Sequence, residues 1–264
     1  MPKVKINNFK LYYEIYGEGH PLIIILGLGA NTSWWGRYFL KELAKHFKVI
    51  VFDNRGTGQS GDPKLDYTIK TLADDTIGLM NALNIEFAHS FGHSMGGGIA
   101  QELVLNYDRV NKLILCSTSC GGLKSYLASP EVLQIISKTR EGRTIEEIVK
   151  ETLTIFYSNE FIKKNPKLIG YAIQNMGKTP MSPENYMRQT KALKSFNTCD
   201  KLKELKKPTL IMHGKKDILI PPQNAEILTE LIANSQITWF NKSAHAPFVE
   251  EPNLVLNAII EFLK

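Results

Sequence analysis

The sequence predicts an α/β protein in which a mostly parallel β-sheet is covered by helices on both faces. Short, continuous apolar segments recur along the chain, as expected of strands that are buried on both sides. Stretches with the apolar period of a helix lie between these segments. Because strands and helices alternate in this way, neighbouring strands are expected to run parallel.

The strands and helices can be placed in chain order. The first two strand-like segments, at residues 4–6 and 10–16, alternate apolar and polar residues, which predicts an antiparallel hairpin with one solvated face. Buried strands are predicted at residues 22–26, 49–52, 85–91, 113–116 and 209–212, and a last strand at 236–240. Helices are predicted at residues 34–46, 69–83, 95–107, 224–233 and 253–263. The pattern therefore predicts an eight-stranded sheet.

A long segment at residues 123–196 interrupts this alternation after the sixth strand. It contains no strand-like run, only amphipathic helical stretches such as residues 145–157 and 166–176. Four prolines are expected to break these stretches: Pro130, Pro166, Pro180 and Pro183. We interpret the segment as a helical cap inserted into one core domain, which residues 1–122 and 197–264 form.

The bulk composition is that of an ordinary globular protein, with 43% hydrophobic and 22% charged residues among 264. The net charge of +6 comes from scattered basic residues, without the basic stripe and exposed aromatics of a nucleic-acid-binding surface. The N-terminal residues lack the apolar core of a secretion signal, and no apolar stretch is long enough to span a bilayer. We therefore expect a cytoplasmic protein that binds no nucleic acid and has no membrane span.

Three cysteines bear on the redox environment of the protein. Cys116, Cys120 and Cys199 show no metal-ligand spacing, and their odd number leaves one residue over, which suits a reducing compartment. We expect all three to be free thiols.

The pentapeptide Gly92-His93-Ser94-Met95-Gly96 lies between a predicted strand and a predicted helix. A serine at such a corner takes a strained backbone conformation, and only glycine on either side lets the strand and the helix approach closely. Ser94 is therefore the candidate nucleophile.

A serine hydroxyl is a weak nucleophile at neutral pH, so it needs a general base and a group that orients this base. His245 follows the last strand and can reach the sheet edge where the strand ends gather. His213 and His89 are expected to be structural, and the side chain of His93, which precedes the nucleophile, is expected to point away from Ser94. Asp217 follows the last buried strand, and the competing loop after the sixth strand contains no carboxylate. We therefore expect His245 to be the base and Asp217 the orienting acid.

An oxyanion needs two backbone N–H donors close to the nucleophile. Met95, the residue after Ser94, is expected to supply one of them. The second is expected from the glycine-rich loop at residues 26–30, where glycine lets the chain fold back toward Ser94, and we choose Leu28.

A second glycine-rich motif, at residues 56–61, matches the G-x-G-x-x-G pattern of dinucleotide-binding sites. In such sites a helix begins at once and presents its N-terminus to the pyrophosphate. Here polar residues continue until about Ile69. We interpret the motif as a structural loop beside the mouth of the site, and we expect no cofactor and no metal.

Together these motifs resemble those of the α/β-hydrolases with a helical cap, the group of esterases, lactonases and C–C hydrolases. The resemblance rests on residues 27–29, 53–60, 92–97, 208–210 and 214–217 and on His245. It covers nearly the whole chain outside the insertion. The chain departs from the family pattern at Leu26, where histidine is common, and at Asp108, where proline is common. Neither position belongs to the proposed catalytic residues.

The resemblance implies a triad of Ser94, Asp217 and His245, with the N–H groups of Leu28 and Met95 as the oxyanion hole. It implies a carboxylesterase, monomer or homodimer, that forms an acyl-enzyme with small to medium acyl groups of a small-molecule ester. Serine rather than aspartate at position 94 argues against haloalkane dehalogenase and epoxide hydrolase chemistry. Lactonase, thioesterase, perhydrolase, C–C hydrolase and acyltransferase activities use the same triad and stay open, as does a ligand receptor on the same fold.

Overall fold

A computed structural model describes residues 2–179 and 181–264. Its central sheet consists of β1 (Lys3–Ile6), β2 (Phe9–Tyr16), β3 (Pro21–Ile25), β4 (Lys48–Phe52), β5 (Ala88–His93), β6 (Val110–Cys116), β7 (Thr209–Gly214) and β8 (Ser235–Phe240). The spatial order is β1-β2-β4-β3-β5-β6-β7-β8. β2 is antiparallel to both β1 and β4, and the other pairs are parallel. The predicted eight-stranded, mostly parallel sheet is therefore confirmed.

Helices cover both faces of this sheet. They are α1 (Arg37–Leu43), α2 (Ile69–Ala82), α3 (Met95–Asn106), α4 (Pro130–Ser137), α5 (Ile145–Phe156), α6 (Asn159–Lys164), α7 (Leu168–Lys178), α8 (Pro183–Lys194), α9 (Gln223–Leu231), α10 (Pro247–Glu250) and α11 (Pro252–Leu263). Short 3-10 turns occur at Thr32–Trp35 and Lys201–Glu204. None of the helices in the described ranges combines the length and the apolar character that crossing a membrane requires.

Alternate residues of β3 point to opposite faces of the sheet and belong to two hydrophobic cores. Ile23 and Ile25 pack in one core with residues of α2, α3 and α9. Leu22 and Ile24 pack in the other with residues of α1, α11 and the cap helix α5. Because β3 is covered on both faces, the loop that follows it is attached to a rigid base.

The helix predicted at residues 34–46 is shorter than expected. The chain first forms the 3-10 turn at Thr32–Trp35, and α1 begins only at Arg37. Gly36 between them has φ of +69°, a left-handed conformation that interrupts a right-handed helix. The apolar period alone did not reveal this break.

The strand predicted at residues 85–91 begins three residues later, at Ala88, and continues to His93. Asn84 has φ of +54°, and the Ile85 N–H donates to the Met80 carbonyl at 2.9 Å. This bond satisfies a free carbonyl at the C-terminal end of α2. Ile85 is therefore an apolar residue that closes a helix rather than one that starts a strand.

The helices α4 to α8 occupy the insertion after β6, and the sheet resumes with β7. Pro130 and Pro183 are the first residues of α4 and α8, where the fixed φ of proline suits the first helical turn. These two prolines begin helices and do not break them. Pro180 lies outside the described residues. The domain boundaries at residues 123 and 196 stay a prediction.

The prediction of three free thiols is wrong. Cys120 and Cys199, 79 positions apart in sequence, form a disulfide with their Cα atoms 5.0 Å apart, and Cys116 is free and buried. An odd cysteine count does not tell which two residues the fold brings together. The expectation of a reducing compartment loses this support, because disulfides persist mainly in oxidising environments.

The disulfide lies where the chain enters and leaves the insertion. The Thr198 N–H donates to the Cys120 carbonyl at 2.8 Å, and the Gly122 N–H donates to the Phe196 carbonyl at 3.1 Å. Residues 120–122 and 196–199 therefore pair with each other, and we call these two segments the neck of the cap.

Candidate active site

Ser94 lies at the sharp corner between β5 and α3. Its backbone has φ of +57° and ψ of −123°, which non-glycine residues rarely adopt. Glycines allow the close packing on both sides. A Cβ at Gly92 would lie 2.7 Å from the Gly97 Cα, and one at Gly96 would lie 2.6 Å from the carbonyl carbon of Ile25.

Backbone hydrogen bonds from neighbouring elements hold this strained corner. The Ser94 N–H donates to the Cys116 carbonyl at 2.9 Å. The Ser94 carbonyl accepts from the Thr118 hydroxyl and from the Gly97 N–H, each at 2.8 Å. The unusual conformation of Ser94 is therefore imposed by the end of β6 and the start of α3.

Asp217 follows β7 and is only 3% exposed. Its Oδ1 accepts the N–H groups of Leu219 and Ile220, both at 2.9 Å. Its Oδ2 lies 2.8 Å from His245 Nδ1 and 3.3 Å from His213 Nε2. Burial opposes ionisation, but the interaction with His245 and the hydrogen bonds from both histidines outweigh burial and hold the pKa of Asp217 far below its usual value. Asp217 is therefore a buried anion beside His245.

His245 lies in the loop between β8 and α10 and has no exposed surface. Because the Asp217 carboxylate only accepts hydrogen bonds, the facing Nδ1 of His245 carries the proton. In the neutral ring Nε2 is then the acceptor, and it has no hydrogen-bond partner among the described residues. One nitrogen fixes the ring, and the other is free to act as a base.

His93 connects the histidine loop to the serine corner. Its Nε2 donates to the His245 carbonyl at 2.8 Å, and the two ring centroids are 4.8 Å apart. Burial and the neighbouring His245 lower the pKa of His93 to about 3, so the ring is neutral. The sequence predicted only that the His93 side chain points away from Ser94, and the structure shows that this side chain binds the loop that carries His245. Nothing in the sequence indicated this contact.

The loop at residues 26–30 packs directly against the serine. A Cβ at Gly27 would lie 2.9 Å from the Ser94 Cβ and 3.4 Å from the Ser94 Oγ. Leu28 follows Gly27, and Met95 begins α3. Their N–H groups donate to no carbonyl or side chain in the described part of the chain. Two unused backbone donors therefore belong to the segments that meet at Ser94.

The cap holds the loop that carries His245. The His245 N–H donates to the Phe156 carbonyl, at the end of α5, at 3.1 Å. One carboxylate oxygen of Glu250 accepts the Ala244 N–H at 2.7 Å. The other accepts the N–H and the hydroxyl of Ser158 at 3.0 and 2.5 Å. Glu250 thus joins the cap to the histidine loop, and no sequence signal singled it out, since a glutamate in a helix usually faces solvent.

The cap also contacts the loop at residues 26–30. The Gly29 N–H donates to the Oε1 atom of Gln189, in α8, at 2.8 Å. Gln189 is completely buried, and its amide nitrogen has no partner in the described chain. The conformation of the loop next to Ser94 therefore depends on a cap side chain.

An apolar cavity of about 320 Å³ lies beside the site, between the core and the cap. Its walls are mainly aromatic and aliphatic side chains, among them Trp34, Tyr38, Leu153, Tyr157, Tyr171 and Phe248. The ring of Phe156 contacts both a cavity-lining residue and the histidine, with its centroid 6.3 Å from that of Trp34 and 5.2 Å from that of His245. The lining includes none of Ser94, Asp217 and His245.

The loop at residues 56–61 is held by Asp53, whose carboxylate accepts the N–H groups of Thr32 and Gln59 at 2.7 Å each. The next helix, α2, begins only at Ile69, so no helix N-terminus follows these glycines directly. Within residues 2–179 and 181–264, no group of three or more histidine, cysteine and acidic side chains is arranged to hold a metal ion.

Comparison with known proteins agrees with this architecture. Residues 20–144 match the family model described as the α/β hydrolase fold. The matched segment includes the loop at residues 26–30 and the corner at Ser94.

Similar proteins extend over nearly the whole chain. A protein of Agrobacterium fabrum described as a candidate carbamate hydrolase, RutD, is 25% identical, with 96% of this chain and 98% of the relative covered. A thermophilic esterase from Thermogutta terrifontis is 28% identical, with a TM-score of 0.84 over 100% of this chain and 98% of the esterase. The enol-lactonase from Burkholderia xenovorans LB400 has the same fold, with a TM-score of 0.87 at 24% identity over 99% of each chain. The sheet order, the family model and these relatives agree, and the chain has the α/β-hydrolase fold.

Proposed function

We propose that the chain is a serine hydrolase that cleaves carboxylic esters of small to medium acyl groups through an acyl-enzyme on Ser94. His245 Nε2 takes the Ser94 proton as the oxygen attacks the ester carbonyl. The N–H groups of Leu28 and Met95 hold the negative charge that develops on the carbonyl oxygen. Asp217 keeps the proton on Nδ1 and stabilises the imidazolium cation.

The second half of the reaction reverses these roles. His245 gives its proton to the departing alcohol, and Ser94 remains acylated. A water molecule then attacks the acyl carbon while His245 Nε2 takes its proton. That proton returns to Ser94 Oγ as the carboxylic acid leaves, so both residues end in their starting states.

The buried pair of His245 and Asp217 is the observation that carries the proposal. A buried ring nitrogen without a hydrogen-bond partner costs free energy. We therefore expect the free Nε2 of His245 to accept a hydrogen bond from a hydroxyl or from the substrate. Ser94 directly follows His93, whose ring donates to the His245 carbonyl at 2.8 Å, and this connection supports Ser94 as the hydroxyl that His245 activates. Ser94 is also half-buried rather than fully enclosed, which leaves it open to a substrate.

A fluorophosphonate probe tests the nucleophile. We expect the native protein to be labelled at Ser94 and the Ser94→Ala variant to be unlabelled. The exposed Ser137→Ala variant is the matched control and is expected to react like the native protein. Equal labelling of native protein and Ser94→Ala, or no labelling of either, would refute the proposal and favour a ligand receptor.

A substrate panel separates the reactions that share this site. Carbamate hydrolysis is the second candidate. The relative described as a candidate carbamate hydrolase is 25% identical to this chain, and the similarity covers nearly the whole of both chains. The panel contains p-nitrophenyl esters of graded acyl length, an N-alkyl carbamate, lactones, a thioester and a vinylogous diketone. We expect the highest kcat/KM for an ester. Transfer of the acyl group to an added alcohol or thiol would identify an acyltransferase instead.

A further inference from the structure

Arg140 is a cap cation without a carboxylate partner. It lies between α4 and α5, close to two other cations, Lys138 and Arg143. Those two share one carboxylate, Glu151, each with a contact of 2.5 Å. In the described ranges no ion pair joins Arg140 to any aspartate or glutamate. Two of the three cations therefore share an anionic partner, and Arg140 has none among the described residues.

The side chain of Arg140 turns toward the loop at residues 26–30. Its two terminal nitrogens lie 3.2 and 3.5 Å from the place where a Cβ of Gly29 would be. Its guanidinium carbon lies 3.8 Å from the ring centroid of Tyr186. The Tyr186 hydroxyl donates elsewhere, to the Ile136 carbonyl at 2.9 Å. Tyr186 therefore offers Arg140 its aromatic face, which orients the guanidinium but leaves its planar edge for other acceptors.

The loop that meets Arg140 also meets the candidate nucleophile. Gly27 lies against Ser94, and Gly29 lies against Arg140. The two glycines are two residues apart, a span of at most about 7 Å. A small molecule whose carbonyl sits at Ser94 can therefore extend to the guanidinium.

Arg140 is half-buried, and a half-buried cation without an anionic partner is costly. Burial lowers the pKa of Arg140, yet a guanidinium remains charged at neutral pH. Partly buried charges are normally paired in proteins. The missing partner, close to the candidate nucleophile, points to an anion that arrives with the substrate.

We propose that Arg140 binds a free carboxylate of the substrate, so the preferred substrates are esters or lactones that carry a second, ionised carboxyl group. The inference rests on the proposed function, since Ser94 places the scissile carbonyl. A guanidinium donates two parallel hydrogen bonds to a carboxylate, which matches its planar fork. Arg140 therefore acts as a specificity-determining residue, contributed by the cap.

Matched substrate pairs test this specificity. On the acyl side, monoethyl adipate is compared with ethyl hexanoate, which has a methyl group in place of the carboxylate. On the alcohol side, 3-acetoxypropanoate is compared with propyl acetate in the same way. We expect kcat/KM to favour the anionic member of at least one pair by about ten- to a hundred-fold, mainly through KM, as a charged hydrogen bond would give.

Variants at Arg140 and Arg143 assign the effect to one cation. Arg140→Gln is expected to lower kcat/KM for the anionic ester at least about ten-fold more than for its neutral partner. Arg140→Lys should retain part of the preference, because it keeps the charge but loses the planar fork. Arg143→Gln is the matched control, since Arg143 is already paired with Glu151, and should leave the anionic-to-neutral ratio unchanged. A ratio near one in the native protein, or a ratio that Arg140→Gln does not alter, would overturn the inference.

A binding measurement separates this inference from the proposed function. In the Ser94→Ala background, adipate at a hundred-fold excess over its Kd is expected to raise Tm by roughly 5–10 °C. Adding Arg140→Gln should remove most of that rise. Equal stabilisation by inorganic phosphate would overturn the assignment to carboxylates. If neutral esters are hydrolysed but adipate has no effect, the inference alone fails. If no ester is hydrolysed and Ser94 is not labelled, the proposed function fails, and the Tm shift still decides the role of Arg140.

Discussion

The core and the cap contribute to the site in different ways. Every residue of β5 and of β7 is buried; Ser94 directly follows β5, and Asp217 lies in the loop that follows β7. In the cap, α6 and α7 contain no buried residue. A strand enclosed on both faces cannot shift without losing close packing, whereas helices with little buried surface move at lower cost. We therefore expect the sheet to fix the reacting groups and the cap to decide what reaches them.

The largest expected effect comes from the core. Asp217→Asn presents an amide N–H to His245 Nδ1 and so favours the tautomer with its proton on Nε2. That tautomer cannot accept the Ser94 proton, and we expect kcat to fall roughly 10⁴-fold, as in other triads of this kind. Steady-state hydrolysis of a p-nitrophenyl ester measures the loss. A loss smaller than ten-fold would contradict a dominant role of the core in the chemistry.

The same variant also tests how the ionised Asp217 contributes to the free energy of unfolding. The folded-state pKa of Asp217 is lowered, so its ionised form stabilises the fold above the unfolded-state pKa of about 4, and this contribution disappears as pH falls below it. The free energy of unfolding of the native protein should therefore fall more steeply than that of Asp217→Asn below about pH 4. Urea unfolding of both proteins from neutral to acidic pH measures the difference. Parallel curves would show that the pair of Asp217 and His245 does not stabilise the fold.

The next largest effect is expected from removing the disulfide of the neck. Removing the disulfide with Cys199→Ser should lower the free energy of unfolding by about 2–4 kcal/mol, because the cross-link restricts the unfolded chain. For a chain of this size Tm should fall by roughly 5–15 °C. Dithiothreitol should reproduce this shift in the native protein and have little effect on Cys199→Ser.

Thiol titration checks the pairing directly. The unfolded, unreduced protein should show one reactive thiol, that of Cys116, and three after reduction. Cys116→Ala is the matched control, and its Tm should respond to reductant as the native protein does. Three reactive thiols without reduction would restore the original expectation from the cysteine count.

The smallest expected effect lies where the cap meets the core. Glu250→Gln replaces one of the two acceptor oxygens with an amide nitrogen, which cannot accept a hydrogen bond, so the N–H group of either Ala244 or Ser158 loses its acceptor. We expect kcat to fall about ten-fold through a less ordered His245 loop, as the loss of a charged hydrogen bond would give. Ser158→Ala removes only the hydroxyl contact from the cap and should have a smaller effect. The exposed Glu261→Gln in α11 is the control, and an equal loss in that variant would remove the special role of Glu250.

The sequence predicted the core better than the cap for a physical reason. A strand buried on both faces must be apolar throughout, and the corner at Ser94 requires glycines at fixed positions, so both leave a local pattern. The contacts of Asp217 and His245 follow from the topology of a parallel sheet, whose strand ends gather at one edge. The sequence pattern therefore predicted both the fold class and the candidate residues at the strand ends.

The remaining features depend on contacts between distant segments. Glu250 is one of several glutamates, and only the fold brings it to Ser158, 92 positions away. Arg140 and Gln189 are ordinary residues of polar helical segments until the cap places them on the loop at residues 26–30. Cys120 and Cys199 are 79 positions apart in sequence, and only the folded neck brings them together. None of these contacts leaves a pattern within a short stretch of sequence.

The neck has a consequence for the covalent structure of the protein. Because the chain enters and leaves the cap at two cysteines joined to each other, a protease that cuts once between residues 120 and 199 leaves both fragments attached. Such a nicked molecule migrates as one band in electrophoresis without reductant and as two bands with it. The segment between the two cysteines is thus a closed covalent loop.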